Sequence, residues 1–157
     1  LSEMNKEAVR RPFAAWILIV LLLFIGVGAV ISGAMLFVAP DGHLMQWSAD
    51  DLAGTPFSNY LIPGIILFTL VGIFPLLVGY SLIKRPVWNW PDALNPVKKK
   101  HWAWTASWAA GVIMLIWIGV ETIMLGYISF LQPVIAIYGV LVILLTLLPN
   151  VSRYYTR

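Results

Sequence analysis

Glu121 is the only charged residue between Trp102 and Ser152. A carboxylate inside an apolar run loses hydration, so it marks a candidate ion, proton or ligand site. It lies 19 residues beyond Trp102 (121 minus 102), or about 28 Å along a helix rising 1.5 Å per residue. A bilayer core is about 30 Å thick. A helix entering near Trp102 therefore carries Glu121 to the far boundary, where water lowers its cost. Thr122, Tyr127 and Gln132 lie close by in sequence, and the segment 39–59 brings Asp41, His43, Gln46 and Trp47 to the same boundary. The candidate ligand-binding set is Glu121, Gln132, Asp41, His43 and Tyr127. A carboxylate that is hydrogen-bonded or snorkelling, with a structural role only, is the competing reading of Glu121.

Other chemistry finds little support. His43 and His101 lie at opposite ends of the apolar runs and cannot share an ion, and no Glu-x-x-His or His-x-x-x-His pair occurs. No metal site and no haem or other cofactor is expected. The chain has no cysteine, which removes thiolate catalysis, disulfides and the usual structural zinc sites. Ser32 and Ser107 have no base at reachable depth, so no catalytic residue is assigned. The run Lys98-Lys99-Lys100-His101 beside Trp102 and Trp104 suits an anionic lipid surface, at about 1 kcal/mol per basic residue. Membrane lipids are expected partners and nucleic acid is not.

The elements that would position these residues follow from charge. Of 157 residues, 61% are hydrophobic and 11% charged, against about a quarter charged in a soluble domain. No charge falls between Arg11 and Asp41, or between Asp51 and Lys84. Each gap exceeds the ~20 residues a crossing needs, and the gap after Trp102 has room for two. The expected fold is an all-α integral membrane four-helix bundle in one domain, 1–157, with helices at about 14–38, 60–83, 96–126 and 130–149. The first run is too long for the ~7–15-residue apolar core of a cleaved signal peptide. Asn95-Pro96 reads as an N-cap and first helical residue, hence the early start of the third helix. Residues 127–129 form a tight turn, making helices three and four antiparallel neighbours. Pro75 predicts a kink in helix two. Ser48-Ala49-Asp50-Asp51 resembles a capping box opening a short surface helix.

All ten basic residues lie in the N-terminal segment, the 84–101 loop or the C-terminal tail, and the 39–59 loop has three aspartates and no Lys or Arg. Cytoplasmic segments gather Lys and Arg. Four crossings then put both termini on the cytoplasmic side. Aromatic residues cluster at both boundaries, as belts at headgroup level do. Small residues recur at packing spacing: Gly26, Ala29 and Gly33; Gly72 and Gly79; Ala103, Ser107 and Gly111, with Gly119 beyond. Such stripes let helix backbones approach closely. They predict packing inside the bundle, with a homodimer face as the alternative. No internal repeat is visible.

Pro40-Asp41-Gly42, Gly54-Thr55-Pro56-Phe57, Tyr60-Leu61-Ile62-Pro63-Gly64, and Gly126 followed by Ser129-Phe130-Leu131-Gln132-Pro133 resemble a group of small bacterial four-helix transmembrane proteins. The resemblance spans most of the chain. It implies a multi-pass protein of the bacterial cytoplasmic membrane and carries no activity with it. Small multidrug-resistance transporters also have four helices and a membrane glutamate. Here the carboxylate is in the third helix near its end and the loops are longer, so that family is not adopted. The expected function is non-enzymatic: a binding or accessory role through the extracytoplasmic mouth, with a membrane protein partner or a homo-oligomer. The alternative is a small oligomeric transporter or channel using Glu121 as its ion or proton site. An enzyme acting on lipid ranks third.

Overall fold

A computed structural model describes residues 10–126 and 130–157. Six helices are described: α1 (Phe13–Val38), α2 (Leu61–Lys84), α3 (Asn89–Leu94), α4 (Trp102–Leu125), α5 (Leu131–Leu147) and α6 (Pro149–Tyr154). Two short 3₁₀ turns, His43–Met45 and Ala49–Leu52, lie between α1 and α2. No strand occurs among the described residues, only an antiparallel bridge between Lys100 and Thr156. By length and composition α1, α2 and α4 can each cross a membrane, and α5 is a shorter apolar helix of 17 residues. These are the marks of a multi-pass membrane protein.

The two faces of α1 explain its place. Ala15, Leu18, Ile19, Leu22, Gly26, Ala29, Gly33 and Leu36 are buried, at helical spacing. Val20, Phe24, Val27 and Ile31 are exposed and equally apolar. A helix apolar all round needs an apolar solvent outside as well as a core inside. The buried face is set by size instead. α1 packs along α2, and α4 along α5; contacts of α2 with α4 and of α1 with α5 join the two pairs. At Gly33 an added Cβ would lie 2.7 Å from the Phe68 backbone nitrogen and 2.8 Å from the Gly64 carbonyl. Gly72 faces Val30, and Gly111 faces Ile143 and Gly139. Among the described residues Gly119 meets nothing within 4 Å and stands outside this packing.

Polar groups join helices at depth. The Ser107 and Thr146 hydroxyls pair at 2.8 Å, and Trp104 Nε1 donates to the Thr146 carbonyl. That carbonyl lies in the last turn of α5, where no helical donor remains. The Tyr138 hydroxyl donates to the Leu21 carbonyl and ties α5 to α1.

Four expected details change. The third helix starts at Trp102, not at 96. Asn95 fixes a loop instead of opening a helix: its Oδ1 accepts from the Val97 N–H and the Thr105 hydroxyl, and its Nδ2 donates to the Lys100 carbonyl. His101 supplies the cap, with Nδ1 accepting from the Ala103 N–H. The fourth helix ends at Leu147, because a residue before proline is pushed out of the helical region; Leu148 has ψ 137° and α6 starts anew at Pro149. In α2 the disturbance near Pro75 takes the form of wide π-turns over Leu67–Ile73. Pro75 has no N–H for the Val71 carbonyl and its ring crowds it; wider turns relieve that crowding. The surface helix expected after Ser48 is a single 3₁₀ turn, with Ser48 Oγ accepting from the Asp50 N–H. The 127–129 turn, with Tyr127, lies outside the described residues.

Candidate functional site

At the acidic end, Tyr60 organises the loop. It is 4% exposed, its N–H donates to the Pro40 carbonyl and its hydroxyl to the Ser48 carbonyl at 2.9 Å. Its ring lies 5.5 Å from that of Trp47. Leu36, Leu52 and Tyr60 form a small separate core, with Met45, Phe57, Leu67 and Leu125 packed on it. The chain must reverse tightly to reach this arrangement. Gly42 does so at φ 84°, with its α-carbon under the Tyr60 ring, where a Cβ would sit 2.9 Å from the ring edge. Burial raises the Tyr60 phenol above its ordinary value, and the charges of Asp51 and Glu121 add to that effect.

The expected site residues are only partly brought together. Asp41 and His43 pair with each other on the exposed surface, through the ring Nδ1 and the His43 N–H. The His43 N–H, followed by the ring, holds the Asp41 carboxyl below its usual range. Glu121 is half-buried on α4 and lies within electrostatic reach of Tyr60. Among the described residues no hydrogen bond to its carboxylate is formed. Gln132 is buried and its Nε2 donates to the Gly126 carbonyl at 2.9 Å, closing the reversal between α4 and α5. Tyr127 lies outside the described residues. The nearby surface depression is lined by Asp50, Leu52, Thr55 and Phe57 among others, and by none of the four described members of the expected set, Asp41, His43, Glu121 and Gln132. Among the described residues no three His, Asp or Glu side chains gather as a metal site would require.

The basic end holds a denser polar assembly, built in part from the C-terminal tail. Tyr155 is fully buried and its hydroxyl donates to the Leu82 carbonyl at 2.8 Å. The His101 N–H donates to the Tyr155 carbonyl, and the Arg157 N–H to the Lys99 carbonyl. Lys100 Nζ donates to the Ser152 carbonyl and Thr156 hydroxyl, and Lys98 Nζ to the Asp92 carbonyl. Arg157 pairs with Asp92 at 2.6 Å. Two of the three run lysines thus have partners within the chain. The sequence signal is Tyr154-Tyr155 after Pro149, two large rings in a short segment that also carries Asn150, Ser152, Arg153, Thr156 and Arg157.

His101 gives this end a pH dependence. Burial is the largest of the causes that hold its imidazole below the ordinary 6.5. The neutral ring accepts from Ala103 at Nδ1 and lies 3.0 Å from the Pro86 carbonyl at Nε2. As pH falls below about 6.5 the unfolded chain takes up a proton that the folded chain refuses, so stability declines until the folded value is passed, then levels. Thermal midpoints between pH 7 and 5 should fall. In His101→Asn, which keeps a capping oxygen without titrating, that decline should be clearly smaller; an equal decline would place the acid sensitivity elsewhere.

In comparisons with protein families, curated proteins and solved structures, no match to this chain was found.

Proposed function

We propose that the chain is a four-crossing protein of a bacterial cytoplasmic membrane, both termini cytoplasmic, that acts by binding rather than by catalysis. Its working surface is the 39–59 loop at the extracytoplasmic mouth, and its partner is another membrane protein or a second copy. The observation that supports this is the locking of the loop by Tyr60. A loop held by Pro40, Ser48 and Trp47 around one buried ring presents Asp41, His43, Asp50 and Asp51 as a fixed polar surface. A fixed surface loses little conformational entropy on association. A photo-crosslinking residue at Gln46 or Asp50 in native membranes should give discrete adducts, at higher yield than one at Asn89 on the opposite end. Equal yields at both ends would sink the reading.

The orientation rests on the segregation of basic residues. It is supported by the length of α5: 17 residues span about 25 Å, at the short end of what crosses a bilayer. Single cysteines at Ser58 and Asn89, both exposed, test it. In intact cells an impermeant maleimide should label Ser58→Cys and not Asn89→Cys. Labelling of Asn89→Cys without cell lysis would reverse the topology.

A second reading is favoured by Glu121, whose carboxylate forms no hydrogen bond among the described residues. As an ion or proton site in an oligomeric transporter it would tolerate Glu121→Gln in folding but lose pH-dependent flux in proteoliposomes. As a structural group it would give a variant matching wild type in both stability and flux.

A further inference from the structure

We infer that Arg11 and Arg85 form a site for a phosphate group at the basic end of the helices, with an anionic phospholipid headgroup as its natural source. The inference rests on the reading of the helices as membrane-spanning. Arg11 lies two residues before α1 and Arg85 directly after α2, so both stand at the level where those helices would leave the hydrocarbon. Their guanidinium groups gather on one aromatic ring. The Arg11 Cζ is 5.5 Å and the Arg85 Cζ 5.1 Å from the Tyr154 centroid. Trp16 lies 4.6 Å from Arg11, and Tyr155 lies 5.3 Å from Arg85.

What these cations lack points to the ligand. Among the described residues neither has a carboxylate partner, and Asp92 of the same basic end is paired with Arg157. Arg11 Nη2 donates to the Leu82 and Ile83 carbonyls, the negative end of α2, while its buried Nε has no acceptor among the described residues. The Arg85 guanidinium donates no hydrogen bond among the described residues. Planar N–H forks match the oxygens of a phosphate in pairs, which an ammonium cannot do. Arg85 also takes φ 51°, a conformation costly to residues with a side chain and ordinary for glycine at a helix end. An arginine therefore stands where glycine would close the helix more easily.

That last point supplies a variant that does not strain the backbone. Arg85→Gly removes the guanidinium and relieves the backbone. The chain, purified in neutral detergent, is titrated with phosphatidylglycerol, phosphatidylcholine or inorganic phosphate, and retention is read by native mass spectrometry. Phosphatidylglycerol should bind wild type in preference to phosphatidylcholine. Arg85→Gly should weaken it at least about tenfold, the loss expected for hydrogen bonds to a charged group. Arg85→Lys should restore little, and Lys99→Gln should change it less than about twofold. Saturable binding of inorganic phosphate that Arg85→Gly abolishes would keep the site and assign it a soluble source. Equal losses in Arg85→Gly and Lys99→Gln, or full rescue by lysine, would show a diffuse charged surface and overturn the site. Absence of binding by either phosphate source would overturn it too. Retention of the chain in carbonate-washed membranes tests the spanning reading separately.

Discussion

Gly33→Leu should remove most folded protein from a detergent extract, and Gly28→Leu, on the same helix, should leave it unchanged. At Gly33 a new Cβ meets the backbone of α2 at Phe68 and Gly64, while at Gly28 it meets nothing within 4 Å. Backbone cannot rotate away as a side chain can, so α1 and α2 would have to separate along their length. Overpacking costs about 1–3 kcal/mol where side chains relax and more where they cannot; about 3 kcal/mol or more is expected at Gly33. Between membrane helices there is little hydrophobic force to compensate, because lipid is as apolar as the lost contact. Fluorescence-detected size-exclusion chromatography of both variants gives the comparison. Equal profiles would mean that α1 and α2 are not packed through this face.

The second large effect is expected at Tyr155. Tyr155→Ala should lower stability by about 3–5 kcal/mol, as truncation of a large buried ring does. The ring is fully buried and makes an edge contact with Tyr154. Its hydroxyl reaches the Leu82 carbonyl at the end of α2, and burial pushes that hydroxyl up to about 12, so it remains a donor at any working pH. Tyr155→Phe should cost only about 1 kcal/mol, since Arg11 Nη2 also donates to that carbonyl. The two variants separate packing from hydrogen bonding. Thermal unfolding in detergent measures both, and protease trimming of the last residues should become rapid in the alanine variant alone. A tail equally resistant in Tyr155→Ala would show that the Lys100–Thr156 bridge holds it unaided.

The helical class and the apolar runs were legible in the residues because charge is so costly in lipid that it leaves long gaps. Gly33, Gly72 and Gly111 were legible as packing positions because small residues recur at helical spacing. Gly119 has the same residue type and spacing yet faces open space; spacing names a stripe without saying which face has a neighbour. Asn95-Pro96 predicts a helix start because the cap signal is local. The contacts of Asn95 with Lys100 and Thr105 that make it a loop anchor instead depend on how the chain returns.

The candidate site divides in the same way. Sequence alone determined that Asp41, His43, Glu121 and Gln132 belong to one end, since end assignment needs only the order of apolar runs. It could not determine partners. Asp41 found His43 two residues away, and Gln132 found the Gly126 carbonyl. Tyr60 became the centre of the acidic loop because Ser48 and Trp47 fold back onto it. Only the tertiary structure brought Arg11 and Arg85 to one ring of Tyr154, from three segments far apart in sequence. Periodicity and charge report what each residue prefers in its own surroundings, whereas such a meeting is set by the packing of whole helices.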